Sequence, residues 1–134
     1  MARYLLDTNT CIYIRQRRPP AAYARFEKLA PGDATLSVIT YGELMLGVEK
    51  NPSREAKLKG LQELSSLIPV LPLPGEAAAC YGAIRAALER KGEIIGNNDL
   101  WIAAHAQAAN LILVTNNERE FRRVSGLRIE NWAV

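Results

Sequence analysis

Short apolar runs alternate with amphipathic stretches along the whole chain. Arg3–Leu6 is a short, largely apolar run ending at Asp7 and predicts a first strand. Thr8-Asn9-Thr10 can cap a helix from about Cys11 to Arg15, which Arg17-Arg18-Pro19-Pro20 breaks. Ala21–Leu29 predicts a helix, with Tyr23, Phe26 and Leu29 at spacing three, and Pro31-Gly32-Asp33 a turn. Thr35–Ile39 is apolar and β-branched and predicts a second strand. Thr40 and Glu43 are spaced as a capping box for a helix reaching about Glu49. Leu58, Leu61 and Leu64 stripe the helix that follows Ser53. Ile68–Leu73 is strand-like, but Pro69 and Pro72 confine it to a sheet edge. Helices are expected over Glu76–Lys91 and Asp99–Ala109, separated by a loop over Gly92–Asn98. Leu111–Val114 is fully apolar, as a buried parallel strand should be. A short helix over Glu118–Val124 and a strand over Leu127–Ile129 close the chain.

Strands thus alternate with single or paired helices, which predicts an α/β fold: a three-layer α/β/α domain with a mainly parallel central sheet. The length, 134 residues, suits one domain spanning 1–134. Hydrophobic residues at 49% and charged residues at 23% exclude a disordered tail. No apolar run approaches the roughly 18–20 residues of a membrane span, and the N-terminus does not read as a signal peptide. Two cysteines, Cys11 and Cys80, build neither a disulfide scaffold nor a four-thiolate zinc site, and read as buried thiols. The expectation is a cytoplasmic protein with no membrane partner. Its net charge of +3 permits an anionic partner without demanding one.

Ligands of open parallel sheets bind outside the carboxyl ends of the strands. Asp7 follows the first strand, and Glu43 lies early in the helix after the second. Asp99 begins the helix before the Leu111–Val114 strand, and Thr115-Asn116-Asn117 follows that strand. Converging carboxylates repel one another unless a cation intervenes. An all-oxygen donor set suits Mg²⁺ or Mn²⁺, ions that serve phosphodiester hydrolysis better than acyl transfer. Each acid also has a purely structural use: Asp7 as a helix cap, Glu43 as a capping-box partner, Asp99 as a favourable charge at a helix start.

Four segments carry a family likeness. Leu5-Leu6-Asp7-Thr8-Asn9 resembles the opening signature of PIN-domain ribonucleases. Ser37–Gly47, with Glu43, resembles their second motif; Asn98-Asp99-Leu100-Trp101 opens a likeness to the third, and Val114–Phe121 resembles the fourth. The likeness covers essentially the whole chain, in order, and is nearest to the VapC toxins of bacterial type II toxin–antitoxin pairs. It implies a Mg²⁺- or Mn²⁺-dependent endoribonuclease, usually a dimer, neutralised by a small VapB-type antitoxin, with tRNA a frequent substrate. Asp7, Glu43 and Asp99 match the acidic positions, and by the same match Asp7 and Asp99 are direct metal ligands. Asn117 departs from the pattern, because many PIN domains have Asp there; Glu120, one turn on, is a partial substitute. Asn9 and Thr115 match positions that orient the acids, although both also suit cap and turn.

Arg15, Arg17 and Arg18 follow the first helix and are expected near the active rim as RNA contacts; Arg119, Arg122, Arg123 and Arg128 crowd the C-terminal fifth. Tyr13, Tyr41 and Trp101 offer stacking surfaces for unpaired bases, with core packing as the alternative. A single histidine, His105, excludes a two-histidine mechanism, and its position about 240° round the helix from Asp99 turns it away from that acid. The apolar surface around Leu44, Met45 and Leu46 suits an antitoxin helix, a dimer interface or ordinary core. Two rival readings are an aspartyl-phosphate phosphatase using Asp7, which would want an acid where Asn9 stands, and a non-catalytic α/β module that binds RNA or protein.

Overall fold

The computed structural model describes residues 2–134. Five strands, β1 (Tyr4–Leu6), β2 (Ala34–Ser37), β3 (Val70–Leu71), β4 (Ile112–Val114) and β5 (Ile129–Glu130), form one sheet in the order β3-β2-β1-β4-β5. Every neighbouring pair is parallel. Among the described residues seven helices connect them: α1 (Thr8–Gln16), α2 (Pro20–Glu27), α3 (Val38–Lys50), α4 (Arg54–Leu67), α5 (Ala77–Lys91), α6 (Asn97–Ala108) and α7 (Glu118–Phe121).

The period-two alternation of a strand divides these helices between two faces. Tyr4 and Leu6 of β1 pack with Cys11 and Ile14 of α1, Ala22 of α2, Val48 of α3, and Leu61 and Leu64 of α4. Leu5, pointing the other way, packs with Ile84 and Leu88 of α5, Leu100 of α6 and Phe121 of α7. This is the expected α/β/α sandwich. Leu5, Leu6 and Leu113 are fully buried, and truncating one to Ala would cost about 2–5 kcal/mol through lost transfer energy and the residual cavity. Thr35, a polar residue on a buried strand, is satisfied by donating to the Tyr4 carbonyl at 2.8 Å.

Several boundaries differ from the sequence expectation, each for a local reason. The second strand stops at Ser37 rather than Ile39, because the Ser37 hydroxyl accepts the Ile39 N–H at 3.2 Å and caps α3. Thr40 therefore lies inside α3, and the expected Thr40–Glu43 capping box does not form. The Thr40 hydroxyl is instead the one buried side-chain polar atom among the described residues with no partner. The first helix starts at Thr8 with Asp7 as its cap, not within Thr8-Asn9-Thr10. Pro20 opens α2 at a first-turn position that costs no hydrogen bond, and α7 is a single turn, ending before Val124. Gly92, with φ 69°, ends α5 in the left-handed conformation that turns the chain toward α6. The short β3, flanked by Pro69 and Pro72, lies at the edge as expected.

From β1 the chain moves outward through β2 to β3 on one side, and β4 and β5 lie on the other. The topological switch therefore falls between β1 and β4, and the crevice outside their carboxyl ends is where a ligand of this architecture binds.

Candidate active site

Asp7 sits at that switch. Its backbone N–H bonds the Val114 carbonyl at 3.0 Å, joining the ends of β1 and β4. Its carboxylate accepts from two directions: the Thr10 N–H on Oδ1 at 2.8 Å, and the Thr115 hydroxyl on Oδ2 at 2.5 Å. The Thr10 hydroxyl donates to the Val114 carbonyl at 3.2 Å, and the Asn117 N–H donates to Thr115 Oγ1 at 2.9 Å. Asp7 is thus both helix cap and part of a buried network, only 7% exposed. Burial raises its carboxyl pKa, the Thr115 and Thr10 bonds pull it back, and the Glu43 charge adds to the rise. The structural and chemical uses of Asp7 are compatible, since a cap bond occupies one lone pair of one oxygen.

Glu43 stands on α3 facing α1. Its Oε1 accepts from the Thr8 hydroxyl at 2.8 Å, and its Oε2 from the Asn98 amide at 3.4 Å. Asp99, in the first turn of α6, is half-buried and has no hydrogen-bonded cation among the described residues. Its pKa is pushed up to about 6, first by burial and then by the charges of Glu43, Glu120 and Asp7. Four carboxylates, from α1's cap, α3, α6 and α7, therefore act on one another at one rim.

The other anticipated residues divide. Thr115 orients Asp7 as expected, and Glu120 lies within electrostatic reach of Asp99. Asn9 is exposed and makes no bond to an acid; the orienting hydroxyl from this segment belongs to Thr8. Asn117 caps α7 by position only, with no side-chain cap bond. Thr8 and Asn98 were missed, because their partner Glu43 is 35 and 55 residues away and neither spacing is a local pattern. The arginines expected near the rim divide: α1 starts at the rim and runs nine residues, roughly 14 Å, before Arg17 caps its far end, while Arg15 reaches back to line a pocket with Thr8 and Glu43. Arg17 lies over the Tyr23 ring at 4.7 Å. Arg15 packs against Gly60 of α4, so closely that a Cβ there would overlap its guanidinium. Arg18, next to it in sequence, is exposed.

Among the proposed stacking groups, Tyr13 accepts from the Asn116 amide at 2.7 Å, Trp101 is stacked on Tyr81 at 4.0 Å, and Tyr41 is half-buried. His105 is buried and shares a 2.8 Å hydrogen bond with Ser37 Oγ, and burial lowers its pKa, so it is a neutral core residue. Cys11 is buried, its thiol pKa pushed far up, while Cys80 is only half-buried, contrary to expectation.

Among the described residues no three His, Cys, Asp or Glu side chains are grouped closely enough to hold one metal ion. The donor chemistry still fits a hard cation: the rim offers carboxylate and amide oxygens, with no thiolate and no free imidazole. Mg²⁺ in particular keeps several waters and needs only one or two carboxylates. Among the described residues no helix is long and apolar enough to cross a membrane.

Comparison with known proteins agrees with this fold. The model of the PIN domain matches residues 4–127. The chain is 44% identical over 132 residues to Ribonuclease VapC2 of Haemophilus influenzae, covering 98% of this chain and 99% of that one. It is 42% identical to the tRNA(fMet)-specific endonuclease VapC of Shigella flexneri, covering 99% and 100%. Among solved structures, a DNA-bound VapBC from Salmonella typhimurium superposes with a TM-score of 0.91 at 42% identity, covering 98% and 99%. VapBC2 of Rickettsia felis, bound to a fragment of promoter DNA, gives 0.88 at 40% identity, covering 96% and 98%. The match over residues 4–127 and the near full-length identity to these relatives show that the chain belongs to the PIN-domain family, among its VapC members.

Proposed function

We propose that the chain, acting as one PIN domain over 1–134, is a Mg²⁺- or Mn²⁺-dependent endoribonuclease. In this reading it is the toxin of a toxin–antitoxin pair, held inactive by a VapB-type antitoxin. The observation that carries the chemistry is the raised pKa of Asp99, about 6, in a cluster with Asp7, Glu43 and Glu120. Burial without a compensating donor, to which the neighbouring carboxylates add their repulsion, marks a place prepared for a cation. Relatives named as VapC ribonucleases, one of them a tRNA(fMet)-specific endonuclease, and neighbours solved as VapBC complexes support RNA, tRNA included, and an antitoxin as partners.

Asp7 and Asp99 are the residues that would hold the ion, with Glu43 reaching it through one of its waters. A bound divalent ion lowers the pKa of its water toward neutrality and offsets charge developing on the phosphate. The chain supplies the rest. Thr115 and the Thr10 N–H aim the Asp7 carboxylate and offset part of the pKa rise that burial imposes. Thr8 and Asn98 hold Glu43 on the opposite wall, where it can accept a proton from the attacking water. Asn117, neutral where many relatives carry Asp, leaves Glu120 as the fourth charge, so one ion is held firmly and a second weakly.

The experiment is cleavage of total RNA by the purified chain, with and without EDTA, followed by mapping of new 5′ ends after brief induction in cells. Cleavage that requires Mg²⁺ or Mn²⁺ and is abolished by Asp7→Asn is the expected result. Growth unaffected by induction, with no new RNA ends, would overturn the reading.

A further inference from the structure

The C-terminal arginines singled out in the sequence do not stay together. Arg128 turns to Asn110, donating to its backbone oxygen at 2.9 Å and its side-chain oxygen at 3.0 Å. Arg119, Arg122 and Arg123 instead join Lys91, at the end of α5, around an open cleft of about 470 Å³ whose only acid is Glu93. Four cations line the cleft against Glu93, and even with Glu118, which pairs with Arg122, counted in, the positive charges outnumber the negative ones four to two.

These cations are largely unspent. Arg122 is paired with Glu118 at 2.8 Å, on an exposed surface where such a pair is weak. Arg123 donates to the Ile94 carbonyl at 3.2 Å, a neutral acceptor that fixes the guanidinium without cancelling its charge. Lys91 and Arg119 make no ion pair among the described residues. Both walls are continuous with the acidic rim: the loop holding Glu93 and Ile94 runs into α6, which carries Asp99, and Arg119 adjoins Glu120, whose charge acts on Asp99.

We propose that this cleft is a phosphate-binding subsite that grips the RNA backbone beside the bond to be cut. It deepens the endoribonuclease reading and rests on it. Guanidinium groups match phosphate oxygens in pairs, and unpaired surface cations gain most from releasing the counterions of a nucleic acid. The rim repels RNA by its carboxylates; the adjoining cleft supplies the attraction that brings a strand alongside.

The test uses the Asp7→Asn chain, so that binding is read without cleavage, and a labelled single-stranded RNA oligonucleotide of mixed sequence. Adding Lys91→Gln and Arg119→Gln together should weaken binding about tenfold or more. It should also lower the slope of log K against log[salt] by about 1.4, roughly 0.7 per lost phosphate contact. Lys59→Gln, on exposed α4, should change neither. In the cleaving chain the double variant should raise KM and leave kcat nearly intact, with an unchanged melting temperature. Unaltered affinity and slope would overturn the proposal. So would equally effective competition by polyglutamate of matched charge, which would make the cleft a face for an acidic polypeptide. If the cleaving chain cuts no RNA yet binding still depends on Lys91 and Arg119, the ribonuclease reading fails and the subsite stands.

Discussion

The two halves of the acidic rim are built on opposite principles. At Asp7 the carboxylate is buried yet answered: a backbone N–H and a threonine hydroxyl each take one oxygen, and the segment is sewn to β4 through the Val114 carbonyl. At Asp99 the carboxylate is half-buried and unanswered, facing Glu43 and Glu120, and its proton is held to about pH 6. Hydrogen bonds that pre-exist the ligand fix geometry and cost nothing at the moment of binding. Repulsion that pre-exists the ligand is relieved by it, and so becomes affinity. In the proposed reading the first half is a positioning device and the second a driving force for cation binding.

The sharpest way to break this contrast is at Asp7. Asp7→Asn keeps the cap, because asparagine caps as well as aspartate, but removes the charge. RNA cleavage is expected to fall by about 10²–10³-fold, with the melting temperature held or raised. A folded variant that retains near-normal cleavage would leave Asp7 as a cap alone.

The Asp99 half is tested through pH. Its folded pKa lies above the ordinary 3.8, so the fold favours the protonated form. The strain is absent at low pH, where folded and unfolded chains are both protonated; it grows as pH rises from the ordinary 3.8 to about 6 and is fully present above that. Asp99→Asn should therefore raise the metal-free melting temperature at neutral pH and leave it unchanged near pH 4. In the unaltered chain Mg²⁺ must displace this proton, so its affinity, read by thermal shift or calorimetry, should drop about tenfold from pH 7 to pH 5. A pH-independent affinity would place the ion away from Asp99.

Thr115 sharpens the comparison from the other side. A hydrogen bond to a charged group contributes about 1.5–3 kcal/mol. Thr115→Val is expected to slow cleavage about tenfold or more and to move the acidic limb of the pH–rate profile upward, as Asp7 loses the bond that lowers its pKa. Thr115→Ser should restore both, which a purely packing role would not.

The smallest effect is expected one turn before Glu43. The Thr40 hydroxyl is buried without a partner, while Thr8 and Thr115 spend theirs on Glu43 and Asp7. Thr40→Val should leave cleavage unchanged and stabilise the chain by up to about 1 kcal/mol, measured by denaturant melts. A large loss of stability would mean the hydroxyl has a partner after all.

The element types and their order were legible because they follow from local periodicity. Leu111–Val114 could only be a buried strand, Pro69 and Pro72 could only flank an edge, and the acids Asp7, Glu43 and Asp99 each fell next to a strand end or in a helix's first turn. What periodicity could not give was the partner of each side chain. Thr40 and Glu43 have capping-box spacing, yet Ser37 takes the cap, its hydroxyl engaged by His105 from a helix 68 residues on. Asn9 stood in the motif, yet Thr8 is the residue whose hydroxyl reaches Glu43. Arg15, Arg17 and Arg18 looked equally close to Asp7 in sequence, yet a helix of roughly 14 Å puts Arg17 at its far end while Arg15 lines a pocket with Thr8 and Glu43.

The sequence by itself determined the α/β layering, the parallel sheet and which acids could meet, since hydrophobic period and chain direction dictate these. Only the tertiary structure decided how each carboxylate is answered, and that Lys91 joins Arg119 beside the rim while Arg128 does not. Hydrogen bonds and charge coupling depend on distances of a few ångströms between segments far apart in the chain. No local pattern encodes those distances; the packing of α3, α5, α6 and α7 against the sheet does.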